Sequence, residues 1–261
     1  MLQPIGVPGM RQSEEHRCFP QPPNRDATMW RYFDTRKFMH LMRNRVLWFS
    51  RADLLGDPCE GSRPRGDASI YAAAEQELRG RGDIKALLVA KAGWKRLDDE
   101  ARQRMFISCW TMQAYDNMAM WERYCHPKEA GIAVQTTYAR LDSAMPLTFP
   151  RDQHIMLGQV HYGDYESIDF KSDPSNVYSH FMLKKVNYAD ECEVRAVSDL
   201  GQKATVKGIP VAVDLNVLLE RIVVSPYAPN GVALNVERVV RSGGHWFPVA
   251  PSLIHKVAKV Y

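Results

Sequence analysis

The chain has 261 residues, of which 45% are apolar and 25% charged, with a formal net charge of +4. These proportions suit a globular chain with a real core and exclude a disordered or collagen-like polymer. A charge this mildly positive tolerates an anionic ligand or a nucleic acid without requiring either.

No run of about eighteen apolar residues occurs, so no membrane-spanning helix is expected. The N-terminus begins Met-Leu-Gln-Pro and lacks the apolar core of a signal peptide. The cysteines Cys18, Cys59, Cys109, Cys125 and Cys192 are odd in number and widely spaced. That pattern argues against a disulfide framework or a zinc site and for a reducing cytoplasm.

Residues 1–27 carry Pro4, Pro8, Pro20, Pro22 and Pro23 among polar residues and read as a flexible N-terminal arm. The remainder, 28–261, reads as a single α+β domain. Met29–Phe33 is an aromatic strand, Thr35 can cap a helix over Arg36–Asn44, and Val46–Ser50 is a buried strand. The Ala-, Leu- and Arg-rich stretch at about 64–104 reads as a helical insertion broken at Gly80–Asp83, with Asp83 as a cap. Phe106–Trp110 is a strand, and Asp116 or Asn117 caps a helix carrying Met118, Trp121 and Cys125. Gly131–Gln135 is a strand. Further strands are expected near Ile155–Tyr162, Cys192–Val197, Pro210–Asp214, Arg221–Val224 and Leu253–Val260. A helix runs from Gly231 to about Arg241 and stops at Gly243-Gly244. Strands and helices do not alternate strictly, which argues against a doubly wound parallel sheet and for a mixed or antiparallel sheet with flanking helices.

Three places carry candidate chemistry. Read as a strand, Lys184–Val197 puts Glu191, Glu193 and Arg195 on one face and Cys192, Val194 and Ala196 on the other, the core face. Two carboxylates about 7 Å apart on a strand repel, and one can hold a raised pKa and act as a base. The alternative is a solvated face on which Arg195 neutralises its neighbours. Ser108 sits between Phe106 and Trp110, either as the floor of a slot for a flat ring or as a buried serine bonded to backbone. Arg31, between Trp30 and Tyr32, can present its planar fork to a phosphate or carboxylate, or stack on a ring as structure. Asp57 and Glu60 flank Pro58-Cys59 in a turn. Cys125-His126 lacks further ligands at metal spacing. No P-loop, Gly-x-Gly-x-x-Gly, His-Glu-x-x-His or calcium loop is present.

The order of Trp30-Arg31-Tyr32-Phe33, Leu47-Trp48-Phe49-Ser50, Gly56-Asp57-Pro58-Cys59-Glu60, Phe106–Trp110, Met120–Tyr124, Gly131–Val134 and Lys184–Arg195 resembles the bacterial domain-of-unknown-function family 2971. That family is found among phage-defence and abortive-infection genes. Gly56 and Cys59 depart from the Asn and Phe usual there.

A second likeness is to the Arg–Ser–Glu plan of ADP-ribosyltransferases. It implies an ADP-ribosyltransferase-like fold and a toxin or defence effector that cleaves the nicotinamide–ribose bond of NAD and modifies a nucleic acid or protein target. On that likeness Arg31, with Tyr32, Ser50, Trp110 and Trp121, would line the NAD site. Ser108 would support the nicotinamide ribose, Glu193 would bind its 2′-hydroxyl, and Glu191 would orient the acceptor. Trp110 stands where that family has a second hydroxyl residue. Two rival readings remain open: a metal-dependent nuclease using Asp57, Glu60 and Glu191/Glu193, and a non-catalytic sensor or partner module of a defence operon.

Overall fold

The structure is a computed structural model that describes residues 16–125, 130–148, 154–173 and 175–254. The chain is α+β with a mixed sheet, and its elements follow from local signals in sequence order. Strand β1 (Thr28–Phe33) leads into helix α1 (Thr35–Asn44). The cap of α1 is Asp34, whose carboxylate accepts from the backbone N–H of Lys37 at 2.7 Å. Thr35, expected as the cap, lies inside the helix and donates to the carbonyl of Ala130. Phe38, Leu41 and Met42 form the buried stripe that their spacing predicts. Arg45, left-handed at φ 54°, ends the helix and starts β2 (Val46–Arg51).

Helices α2 (Ala68–Gly80) and α3 (Ile84–Arg104) form the expected helical stretch, with the Asp83 carboxylate accepting from Ala86 N–H at 2.9 Å. They are followed by β3 (Met105–Met112), α4 (Met118–Tyr124) and β4 (Ile132–Thr137). Asn117, not Asp116, caps α4, accepting from Ala119 N–H at 2.8 Å. Thr137 caps a short helix, α5 (Tyr138–Ala144), which is absent from the sequence-based expectation. Next come β5 (Ile155–Gln159) and β6 (His161–Gly163), two strands where the sequence predicts one.

Strands β7 (Leu183–Lys185) and β8 (Glu193–Asp199) enclose a 3-10 turn over Val186–Glu191. Then follow β9 (Gly208–Ala212), α6 (Leu215–Leu218), β10 (Arg221–Val224), α7 (Val232–Ser242) and β11 (Val249–Pro251). The strand expected over Leu253–Val260 lies almost wholly outside the described residues.

Two compact units emerge, each assembled from three stretches of chain. One takes the chain up to Gln21, Phe49–Ser108 and Leu147–Ile209; the other takes Pro22–Trp48, Cys109–Pro146 and the chain from Pro210 onward. The sequence alone suggested one domain behind a loose arm.

In the first unit β5 pairs antiparallel with β8, β8 pairs with β3, and β3 pairs antiparallel with the end of β2 through Ile107–Ser50 and Phe106–Arg51. A separate two-stranded parallel ribbon joins β6 and β7. The described part of the arm as far as Gln21 lies against this unit. Phe19 is buried, Pro20 accepts from Gln159 N–H at 2.9 Å, and the Gln21 amide donates to the Leu157 carbonyl at 2.8 Å. This close approach is possible because residue 158 is glycine. A Cβ there would stand 2.5 Å from the Cα of Phe19.

In the second unit the strand order is β11-β10-β4-β1 followed by the end of β3. β10 and β11 run parallel and the other pairs antiparallel. Its core centres on Trp30, Tyr32, Met120, Trp121, Cys125, Ala133 and Val223. Arg25 also belongs here, paired with Asp142 and lying over the Tyr138 ring.

Candidate functional site

The acidic pair of the first unit is placed by a route different from the one its spacing suggests. Glu191 is not on a strand; it ends the 3-10 turn, and Cys192 follows in a left-handed conformation at φ 43°. Cys192 is therefore exposed instead of buried as expected. Glu193 then opens β8, a strand buried on both faces, so neither face is solvated.

Despite the broken register, the two carboxylates meet on one cation. Lys184 Nζ donates to Glu191 Oε2 at 2.6 Å and to Glu193 Oε2 at 3.0 Å. Arg195 completes the cluster. Its Nε donates to Glu193 Oε1 at 2.8 Å, Nη1 to Glu60 Oε1 at 2.6 Å and the Phe181 carbonyl at 2.5 Å, and Nη2 to Glu60 Oε2 at 2.8 Å and Glu193 Oε2 at 3.1 Å. A guanidinium has five N–H donors, and these contacts account for all of them.

No member of the set Glu60, Lys184, Glu191, Glu193 and Arg195 is more than 7% exposed. Three carboxylates and two cations are buried together here. Glu60 shows the effect of that burial. Burial pushes its carboxyl above the usual range, against the pull of Arg195 and with a further push from Glu193. Burial lowers the Lys184 ammonium, but Glu193 and Glu191 outweigh it and hold the group above the ordinary lysine value. Burial, with Glu193 and Glu191 adding to it, also raises the Tyr162 hydroxyl, which accepts from Glu193 N–H at 2.7 Å.

The remaining residues expected in the site divide between the units. Ser108, in the first, is fully buried, as is Phe106 on the same strand. Ser50, also in the first unit, is partly exposed on β2 opposite Ile107.

Arg31, Tyr32, Trp110 and Trp121 belong to the second unit. Arg31 lies over the rings of Phe33 and Trp110, at 5.3 and 5.6 Å to their centroids, and its Nη2 donates to the Trp48 carbonyl at 2.9 Å. Burial pulls its pKa down to about 10, with Cys109 and Tyr124 acting the other way. Tyr32 is buried, meets Trp121 edge-on at 4.8 Å and accepts from Asn117 N–H at 3.0 Å. Trp110 and Trp121 are core residues, and the Trp121 indole donates to Asp116 at 2.9 Å. These aromatic groups are engaged in packing, and none of the four rings stands open as a stacking platform.

The nuclease alternative needs carboxylates turned toward a metal ion. Asp57 is used by its turn, accepting from Cys59 N–H at 2.8 Å, while Glu60 and Glu193 face a guanidinium and an ammonium. Two cations already occupy the positions a divalent ion would take, so the residues present do not fit one. Among the described residues no group of three or more His, Cys, Asp or Glu side chains is arranged to hold a metal. His126 lies outside the described residues.

Comparison with protein-family models, curated proteins and solved structures finds no match to this chain. Among the described residues no helix is long and apolar enough to cross a membrane.

Sequence reading found Glu191, Glu193 and Arg195 but gave Lys184 no role and left Glu60 in a turn. Glu60 is 135 residues from the arginine that binds it, and nothing local announces such a pairing. A lysine seven residues before one acid and nine before another was the only available signal.

Proposed function

We propose that this chain is a binding module, a sensor or partner subunit of the defence-system kind that the sequence resemblance suggests, and that its buried charge cluster is framework. The observation that carries this reading is the complete engagement of Glu193. One of its oxygens is bound by Arg195, the other by Arg195 and Lys184. A carboxylate that stabilises a developing oxocarbenium ion has to face the sugar in the transition state. Glu193 faces two cations instead, inside a protein core.

An NAD-cleaving, ADP-ribosyltransferase-like activity is the second reading. The meeting of Glu191 and Glu193 on one lysine favours it, since a paired acidic group is what that chemistry uses. It requires Glu193 to leave Lys184 and Arg195 on binding NAD.

The two are separated by incubating the purified chain with NAD and measuring nicotinamide release chromatographically. The binding-module reading expects release no faster than in buffer, for wild type and Glu193→Gln alike. Release by wild type that disappears in a folded Glu193→Gln variant would establish the second reading in its place.

A further inference from the structure

Helix α3 packs into the first unit with one face and carries large apolar residues on the opposite face as well. On the packed side Leu87 and Ala101 are buried, the Trp94 ring lies 4.3 Å from that of Tyr71 on α2, and Lys91 pairs with Glu75 of α2 at 3.0 Å. An ordinary surface helix is polar on the side turned away from such contacts. Here Ile84, Leu88 and Val89 stand outward, 55, 64 and 66% exposed, with exposed Ala92 beside them. At about 3.6 residues per turn, Ile84, Leu88, Ala92 and Arg96 follow one row along the helix. Lys85 and Val89 lie in the neighbouring row, and Lys95 stands two turns on from Leu88. Three exposed aliphatic side chains within two turns make a patch, which single scattered apolar residues do not.

The patch is basic throughout. Between Ile84 and Leu97 the helix contains Lys85, Lys91, Lys95 and Arg96 and no carboxylate. Acids return only at Asp98, Asp99 and Glu100, the last of them 3.6 Å from Arg96. On α2, Glu75 is engaged by Lys91 and Glu77 by Arg81. Lys85 and Lys95 are exposed, and among the described residues neither takes part in an ion pair.

This pattern discriminates among partners. A second copy of the chain, related by a two-fold axis, would set lysine against lysine. A nucleic acid would satisfy the cations but press the aliphatic side chains against phosphate. A partner helix docks into a groove between elements, whereas this patch is the outward surface of one helix. An anionic bilayer suits both halves. Aliphatic side chains enter the boundary between headgroups and acyl chains, while lysines reach back along their stems to the lipid anions.

We infer that the outward face of α3, from Ile84 to Arg96, docks on the surface of an anionic membrane. Ile84, Leu88 and Val89 insert below the headgroups, and Lys85, Lys95 and Arg96 lie against the lipid phosphates and carboxylates. A helix lying in the interface plane does not need the length or apolarity of a spanning one. The contact goes beyond the binding-module reading and stands whether or not NAD is cleaved.

The test mixes the full chain with vesicles of phosphatidylcholine alone or of phosphatidylcholine with phosphatidylserine, and recovers bound protein by flotation. Binding at least about tenfold stronger to the phosphatidylserine vesicles, weakening as salt is raised, is expected. Leu88→Gln and the double variant Lys85→Gln/Lys95→Gln are each expected to bind those vesicles about tenfold more weakly. All three side chains are exposed, and circular dichroism verifies that the variants are folded. Absence of flotation, equal binding to phosphatidylcholine alone, or undiminished binding in both folded variants overturns the inference. So does a dimer in analytical ultracentrifugation that Leu88→Gln dissociates, since a second copy then covers the patch.

Discussion

Arg195 grips Glu60 from 135 residues away, with Nη1 and Nη2 each on a different carboxylate oxygen at 2.6 and 2.8 Å. A bidentate pair that is fully buried is weak evidence of stabilisation as a whole, but its halves cannot be removed singly without cost. Arg195→Met leaves Glu60 and Glu193 buried without their guanidinium and is expected to lose about 3–5 kcal/mol of stability. Glu191→Gln is expected to lose less, because Lys184 keeps its bond to Glu193. Urea denaturation of the two variants measures the difference, and an equal loss in both contradicts the assigned arrangement.

His180 makes a prediction about acid. Burial lowers its folded pKa to about 3, below the ordinary 6.5. Between those values the unfolded chain binds the extra proton and the folded chain does not, so stability rises with pH across the window. Falling from pH 7 toward 4, the wild type is expected to lose a few kcal/mol from this group, on the order of 1.4 kcal/mol for each pH unit. His180→Phe removes the group and is expected to flatten that part of the curve. Denaturation midpoints measured across the range check it against the wild type, whose other titrating groups are the same.

Glu60 has the opposite sign. Its folded carboxyl is raised above its usual 4.5. Above pH 4.5 the folded state holds the proton longer than the unfolded chain does, so this group lowers stability as pH rises through the window. Glu60→Gln is expected to weaken that fall while losing part of the bond energy to Arg195. A stability–pH curve for the variant parallel to the wild type would refute the assignment.

Gly158→Val tests the seat of the arm. Even a Cβ falls 2.5 Å from Phe19 Cα and 2.7 Å from its carbonyl carbon, backbone atoms that cannot swing aside. The expected result is release of the segment around Phe19, seen as faster limited proteolysis before Gln21 and a loss of roughly 1–3 kcal/mol. Unchanged cleavage sites would show that the segment is held elsewhere.

Much of the second unit was legible in sequence because its signals are local. The period of Phe38, Leu41 and Met42, the valine stripe of α7 with its glycine stop, and the apolar run of β10 each announce an element within a dozen residues. The candidate site was legible only in part. Period-two reasoning put Glu191 and Glu193 on one strand face, and they do converge, but through a turn and one left-handed residue that no spacing rule foresees. Cys192 had no glycine or asparagine to betray that conformation. Arg31, Trp110 and Trp121 read equally as ligand platform or core, and packing alone decided among them. His180 was one histidine among eight, and its neighbours come from α3 and the Arg63 loop.

The interleaving of the two units bears on how the polypeptide reaches its native state. The second unit needs β1 and β4 and also β10 and β11, which follow β4 by more than eighty residues. Strand β4, paired with β1 on one side, must therefore wait with its other edge open until β10 has left the ribosome. Contacts this far apart along a polypeptide form slowly, and unpaired strand edges invite association meanwhile. Severing the chain between the units would also require several cuts, and neither could then be recovered as a single contiguous fragment.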